Sequence, residues 1–507
     1  MKVLIANRGE IAIRVMRTCR EMGLTTVAVY SDCDRGAPHV GYADEAYRLG
    51  PNEAVASYLR IEGLIDVARM AGADAVHPGY GFLAENPDFA RACAEAGLIF
   101  IGPPADVIAL MGSKTAARQA AIRAGVPVVP GTEAALGLDV TDEAIARMAD
   151  EVVGYPLLVK AVAGGGGKGM RAVPSPRELP SAIRAARSEA GSAFGNSAIY
   201  LERQLERPRH IEIQLLGDRH GTVLSFTERE CSIQRRHQKV VEESPSVAVS
   251  LALRAEMAAC AAAVARTVGY TSAGTIEFLL DAGGRFYFLE MNTRLQVEHP
   301  ITEMVTGVDL VEWQIRIARG ERLTLDPARL LTPRGHAIEC RVYAEDPDSD
   351  FLPSPGLVTG LRTPSGPGVR DDGGVAPGYA VPVYYDSLIS KLVVWGEDRP
   401  RAIARMVRAL SEYEVLGVKT TIPFFQWLLR QPAFHEGRFD TTYLDRVLAE
   451  RGDRSFAEIG EPAEEVAVVA VALHAYLRAA AGVTVAGRTG SRGAWRQAAL
   501  GEGLRTS

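Results

Sequence analysis

The chain has 507 residues, more than one hydrophobic core supports, because cores stop growing near roughly 250–300 residues. Hydrophobic residues make up 47% and charged residues 23%, which excludes a wholly disordered, fibrous or collagen-like protein. Acidic residues outnumber basic ones 62 to 56, so a net charge of −6 gives no global attraction for nucleic acid or anionic lipid, and any anion site must be local.

The N-terminus, MKVLIANRGEIAIRV, is charged early and lacks the apolar stretch of a secretion signal. Val3–Ala6 reads as a strand, Asn7-Arg8-Gly9 as a turn and Ile11–Met22 as a helix. Thr26–Tyr30, Ala75–Val76 and Leu98–Ile101 are the next strands. Strands alternating with helices over residues 1–113 predict a doubly wound parallel sheet in an α/β (α+β) chain. The first turn has one glycine and no GxGxxG, which argues against a dinucleotide site there. His77-Pro-Gly-Tyr-Gly81 is either a ligand-facing loop or simply a tight turn.

From residue 114 the texture changes. A helix is expected over 114–124, then a Pro/Gly-punctuated entry at Val126–Thr132. Strands Leu157–Ala161 and Met170–Val173 flank a glycine run, followed by a helix over 178–190 and a strand at Ile199–Glu202. A strand pair (210–228), a helix (252–268) and a hairpin (274–291) come next. Beyond 334 the chain reads as a mixed β-rich unit with a helix at 399–411, and 448–507 as a helical linker with a flexible tail. The apolar run Val466–Leu473 is far short of the ~20 residues that span a bilayer. Six scattered cysteines form no CxxC pair, which fits a reducing cytoplasm better than a zinc or disulfide framework.

Only seven of the 56 basic residues are lysines, and four of them (Lys114, Lys160, Lys168, Lys239) fall in candidate anion-binding segments. Gly164-Gly-Gly-Gly-Lys-Gly169 offers backbone N–H groups and an ammonium to phosphate oxygens. It is not a P-loop, since glycine follows Lys168 where Ser or Thr would stand. Apolar strands on both sides make it either a mobile flap over a nucleotide or a flexible hairpin tip. In the hairpin Gly274–Asn292, a two-residue turn at Gly283-Gly284 would set Glu277 directly opposite Glu290, with Cβ atoms roughly 4.5–5.5 Å apart. Asn292 continues the same face. Two carboxylates and an amide oxygen are hard ligands suited to Mg²⁺ or Mn²⁺, whereas a solvent-facing acidic stripe would not explain the apolar neighbours. The polar alternation runs on through Arg294, Gln296 and Glu298 to His299, residue types able to hold and deprotonate a small oxyanion. Residues 228–239 gather Arg235, Arg236, His237 and Lys239 with no interleaved aromatics, against a nucleic-acid patch.

Taken together, ANRGEIAIR, HPGYGFLAEN, GGGGKGM, ERPRHIEIQ, ERECSIQRRHQKVVEE, GTIEFL, FLEMNTRLQVEHPITEMVTG, GHAIECRVYAEDP, FLPSPG and YYDSLISKL resemble, in this order, the biotin carboxylases of the ATP-grasp superfamily. The resemblance covers Met1 to about 447 and implies an N-terminal domain (1–113), an ATP-grasp domain (114–333) with a lid at about 131–204, and a C-terminal domain (334–447). It implies that Lys114, Lys160, Gly166, Gly167, His210, Gln234 and His237 contact the nucleotide, with Glu202, Arg203, Gln204 and Leu205 as the adenine hinge. Arg203 and Gln204 depart from the usual hinge residues, and Ala163 stands where a further glycine is common. By the same resemblance Glu277, Glu290 and Asn292 hold the metal; Lys239, Arg294 and Val297 hold bicarbonate; Glu298 is the base, and Arg341 steadies bicarbonate and the biotin enolate.

The implied cofactors are ATP and Mg²⁺ or Mn²⁺, with biotin as substrate on a separate carrier protein. No methionine follows Met406 and no lysine follows Lys419, so a Met-Lys-Met-type biotinylation hairpin is not expected on this chain. A carboxyltransferase partner, a homodimer and an acetyl-CoA or acyl-CoA carboxylase of fatty acid biosynthesis are further implications, with a pyruvate carboxylase as the alternative. Another ATP-grasp ligase, such as a carbamoyl-phosphate synthetase module, would share the flap and metal site without responding to biotin. A silent ATP-binding regulatory protein would lack Arg294, Glu298 and Arg341.

Overall fold

The computed structural model describes residues 1–162, 170–456 and 461–482. Met1–Arg454 form one compact unit, and Ser455 onward a second.

In Val3-Leu4-Ile5 and Val27-Ala28-Val29, alternate side chains enter cores on opposite faces of one sheet. This is the pattern of a parallel sheet covered on both sides. Helix Gly9–Glu21 covers one face with Ile11, Ala12, Val15, Met16 and Cys19, spaced at helical period. All strand pairs are parallel, as the sequence predicts. A fifth strand, Glu45–Gly50, adds to the edge beside Thr25–Ser31. It escapes sequence reading because its half-exposed residues are polar at Glu45 and Arg48. The turn His77–Gly81 is tied to the first strand's end: Asn7 Nδ2 donates to the carbonyls of Pro78 (2.8 Å) and Tyr80 (2.7 Å). Gly79 there has φ +65°, and a Cβ would press on the Asn7 amide.

Strands Leu157–Ala161, Met170–Val173 and Ile199–Arg203 form a small antiparallel sheet. Helices Asp142–Met148 and Leu179–Phe194 pack on it around Ile145, Leu157, Val159, Ile183 and Leu201. The expected glycine flap, with Gly166, Gly167 and Lys168, lies outside the described residues.

The remaining framework is an eight-stranded antiparallel sheet. Its strand order is Phe286–Asn292, Ser272–Leu280, Arg209–Gly217, Val223–Arg235, Gln238–Ser244, His336–Tyr343, Leu388–Gly396 and Val369–Gly373. The sheet passes across residue 334 without a break, because Gln238–Ser244 pairs with His336–Tyr343. The basic segment 228–239, to which the sequence assigned no element, is the end of one strand, a two-residue turn at Arg236-His237 and the start of the next. In the second unit, Glu461–Gly482 is a helix, and residues 483–507, the expected tail, lie outside the described residues.

Candidate active site

Strand Arg209–Gly217 sends Ile211, Ile213 and Leu215 into the core, leaving His210, Glu212 and Gln214 on its other face. Glu277 lies opposite Glu212 on the next strand, and Glu290 opposite Glu277 on the strand beyond. Three carboxylates therefore stand in a row across three strands, an arrangement that repels unless cations intervene.

Lys239 supplies one cation. Its Nζ donates to Glu212 Oε2 (2.6 Å), Glu277 Oε1 (2.8 Å) and Glu298 Oε1 (2.6 Å). Burial alone would favour the neutral amine, but the three carboxylates hold the Lys239 pKa well above its usual value. Arg229, fully buried, supplies another: it pairs with Glu212 and donates to Gln214 (2.8 Å), Gln296 (2.7 Å), Thr302 (2.9 Å) and Thr275 (3.0 Å). Glu277 also accepts from Asn292 Nδ2 (2.9 Å) and Gln296 Nε2 (2.8 Å), and His210 Nε2 lies 3.1 Å from its second oxygen. Burial works against ionisation of Glu277, yet Lys239 and His210 outweigh it and keep the carboxyl well below its usual range. Gln234 Nε2 sits 3.1 Å from His210 Nδ1 and fixes the ring from behind.

Glu290 differs. No protein hydrogen bond reaches it among the described residues, and desolvation together with the Glu277 charge raises its pKa, with Lys114 partly offsetting. Glu290, a carboxylate with no ion-pair partner among the described residues, facing Glu277 and beside the Asn292 amide, fits a ligand of a hard divalent cation. Lys114, at the first turn of helix Lys114–Arg123, is itself pushed down by burial while Glu290 pulls it up.

Glu298 immediately precedes helix His299–Thr306 and is 2% exposed. Its second oxygen accepts from Arg341 Nη2 at 2.9 Å, and Arg341 Nε donates to Glu242 Oε1 at 2.6 Å. Burial raises the Glu298 pKa, but Lys239, Arg341 and Arg229 together hold it well below the usual carboxylate range. Glu298 gains basicity only when a ligand draws those cations away. The polar alternation points to Arg294 as the cation beside Glu298; the cations in contact are Lys239 and Arg341. Arg294 Nε instead meets Glu85 Oε2 at 2.8 Å, and its Nη2 donates to Asn292 Oδ1 at 3.0 Å. Val297 presents its carbonyl to Lys391 Nζ at 3.2 Å.

Buried Lys160 pairs with Glu202, which also lies 3.5 Å from Arg118. The N–H groups of Arg203 and Gln204 are already given to the carbonyls of Pro130 (2.8 Å) and Pro156 (2.9 Å), and the Arg203 side chain caps Val153. Leu205 follows, half-buried. His237 is exposed at the hairpin tip, where Arg236 and His237 have φ of +50° and +66°. Non-glycine residues there cost on the order of 1–3 kcal/mol each. Arg235 and Arg236 are tied to Glu345 (3.0 Å) and Asp350 (2.7 Å), acids more than 100 residues further along the chain. Sequence reading missed Glu85, Glu212 and Arg229. All three lie inside motifs that carry the resemblance, Glu85 in HPGYGFLAEN, Glu212 in ERPRHIEIQ and Arg229 in ERECSIQRRHQKVVEE, but the tie of Glu85 to Arg294, 209 residues away, left no mark in the sequence.

Family models describing the biotin carboxylase N-terminal domain, the ATP-binding domain of the carbamoyl-phosphate synthase L chain and the biotin carboxylase C-terminal domain match residues 1–108, 113–326 and 339–446. A pyruvate carboxylase component of Methanothermobacter thermautotrophicus is 55% identical over 444 residues, covering 88% of this chain and 89% of the relative. Biotin carboxylase of Nostoc sp. is 53% identical over 446 residues, 88% of this chain and 99% of the relative. The biotin carboxylase domain dimer of Hydrogenobacter thermophilus 2-oxoglutarate carboxylase, solved with MgADP, ADP and bicarbonate, superposes with a TM-score of 0.84 at 48% identity, covering 88% of this chain and 97% of that one.

Proposed function

The chain belongs to the biotin carboxylase family of ATP-dependent ligases, and we propose that its buried carboxylate–cation cluster carries out the bicarbonate-dependent carboxylation of biotin. The observation that carries this reading is Glu298, a buried carboxylate shared by Lys239 and Arg341 next to the Glu277–Glu290 pair.

Glu277, Glu290 and Asn292 would hold Mg²⁺, which when bound offsets charge on the nucleotide phosphates. Lys114, Lys160, His210, Gln234 and His237, with the flap glycines Gly166 and Gly167, bind and orient ATP, and Glu202–Leu205 receive the adenine. Lys239, Arg294 and the Val297 backbone hold bicarbonate. As the anion takes up Lys239 and Arg341, Glu298 loses its flanking cations and accepts the bicarbonate proton. The deprotonated anion then attacks the γ-phosphoryl group, the bond to the β-phosphate breaks with ADP as leaving group, and the carboxyphosphate formed yields CO₂ and phosphate. Phosphate takes the ureido proton of biotin, and the enolate, steadied by Arg341, attacks CO₂. Exclusion of water protects carboxyphosphate from hydrolysis.

The biotin is presented by a separate carrier protein, and a carboxyltransferase partner passes the carboxyl group to the final acceptor. Acetyl-CoA or another acyl-CoA is the proposed acceptor class. Pyruvate is the second reading, favoured by the 55% identity to a pyruvate carboxylase component. A homodimer in the cytoplasm completes the proposal; no described helix is long and apolar enough to cross a membrane. The four-part division at 113, 333 and 447 is kept as a functional one, although the large sheet spans its middle boundary.

Glu298→Gln keeps size and hydrogen bonding but removes the base. Bicarbonate-dependent ATP cleavage should fall about 10²–10⁴-fold while nucleotide affinity, measured by direct titration, stays unchanged. Turnover within about threefold of the parent would show that Glu298 is not the base.

A further inference from the structure

A second pair of facing carboxylates lies outside the cluster described above. Glu242, on strand Gln238–Ser244, stands directly opposite Glu339, on His336–Tyr343. Both are fully buried, at 1% and 0% exposure. Glu339 shares its face with Ala337 and Arg341 and is paired with Val393; Ile301 and Val305 of helix His299–Thr306 close over Ala337 and Val393. Glu242 gives one oxygen to Arg341, while its other oxygen and both oxygens of Glu339 have no hydrogen-bond partner among the described residues.

The charged groups facing this pair are already engaged. Arg341 bridges Glu242 and Glu298, and Lys239 spends its ammonium on Glu212, Glu277 and Glu298. Lys391, on the neighbouring strand, lies 3.1 Å from Glu10 and 3.2 Å from the Val297 carbonyl. On the covering helix, His299 turns Nδ1 to the Gln296 carbonyl (2.7 Å), and Glu303 is held by Arg14 and Arg370, both at 2.8 Å. No cation pairs with Glu339 among the described residues. Two ionised carboxylates cannot stay so buried and so close. Burial and the neighbouring charges lift Glu242 to about 7 even against Arg341, and burial with the Glu242 charge lifts Glu339 well above the ordinary range.

We propose that Glu242 and Glu339 hold one proton between them and that this shared proton lets Arg341 leave Glu242 for the substrate. The inference rests on the substrate role given to Arg341 above. When Arg341 turns away, the O–H bond on Glu339 breaks as one forms on Glu242, or the proton is shared between them. No proton is gained or lost, and the one carboxylate that stays charged accepts the O–H of its protonated partner. Glu242 and Glu339 are positioning residues, since neither touches the reacting atoms.

The test compares the parent with Glu339→Gln. Infrared difference spectra at neutral pH should show a protonated carboxyl band in the parent that vanishes in the variant. In steady state the variant, with no proton to share, should raise KM for bicarbonate several-fold without changing ATP affinity. The bicarbonate KM of the parent should rise above neutral pH, as the pair loses its proton, and that rise should flatten in the variant. If the amide variant does not fold, Glu339→Leu repeats the infrared comparison, since a buried neutral acid tolerates an apolar replacement of similar volume. An unchanged carboxyl band, or a bicarbonate KM profile that superposes on the parent's, overturns the shared proton. A parent whose ATP cleavage ignores both bicarbonate and biotin would overturn the carboxylase reading instead, and the infrared comparison would still decide on the proton.

Discussion

One ammonium, on Lys239, holds together three carboxylates that would otherwise repel, and two of them belong to different parts of the proposed reaction. Glu277 is fully supplied with donors, whereas Glu290, which faces it, is not. That asymmetry makes Glu290 the residue most in need of a divalent cation. Glu290→Gln should therefore raise the Mg²⁺ concentration needed for half-maximal ATP cleavage and lower turnover, with folding intact by circular dichroism. An unchanged Mg²⁺ requirement would remove Glu290 from the metal site. The depressed pKa of Glu298 has its own signature. Its stabilising contribution is present above the unfolded value of about 4.3 and is lost as the pH falls through the lower folded value. The thermal-midpoint gap between parent and Glu298→Gln should thus stay constant from neutral pH to about 5 and close below about 4. Glu277 and Glu290 were visible in the sequence because acids in apolar strands need a reason. Glu85 was not visible, because its tie to Arg294 depends on how two distant segments meet.

Among elements, the hairpin of Glu277 and Glu290 shows how a correct pairing can come from an incorrect turn. Asp281 and Arg285 close a longer loop over Ala282, Gly283 and Gly284, with Gly284 at φ +80°. That shifts Leu280 opposite Phe286, one residue from the register a Gly283-Gly284 turn dictates. An irregularity between the Glu277 and Phe278 pairs restores the register, so Glu277 still meets Glu290. Alternation on each strand was legible; the bulge that reconciles them was not, since it depends on twist and on neighbouring strands. The strand that carries Glu339 and Arg341 starts at a similarly exacting position. Gly335 has φ +70°, and a Cβ there would overlap the Gly396 carbonyl and the Trp395 indole. Gly335→Ala should lower stability by about 2 kcal/mol or more, read as a lower urea midpoint. A midpoint equal to the parent's would mean that this strand junction relaxes freely.

At the scale of the whole molecule, the site is assembled from segments far apart in sequence. Glu85 and Glu10 come from the parallel-sheet region, Lys239 and Glu298 from the central region, and Arg341 and Lys391 from the strands that extend the large sheet. Four strands of the parallel sheet, the small antiparallel sheet and the helices beginning at Gly9, Lys114, Leu179, Leu251 and Arg399 were readable from periodicity, because each buries its own apolar face. The continuity of the eight-stranded sheet across residue 334 was hidden, because strand partners there are about 100 residues apart and share no turn. That continuity lets Arg341 reach both Glu242 and Glu298, and so joins the proposed bicarbonate site to the shared-proton pair. The most direct test of biotin carboxylation follows isotopically labelled bicarbonate with ATP, Mg²⁺ and either free biotin or a biotinylated carrier. The expected result is acid-labile label on biotin, formed only with ATP and at a rate about 10²–10⁴-fold lower in Glu298→Gln. ADP release that proceeds without bicarbonate, or that leaves biotin unlabelled in the active parent, would contradict it.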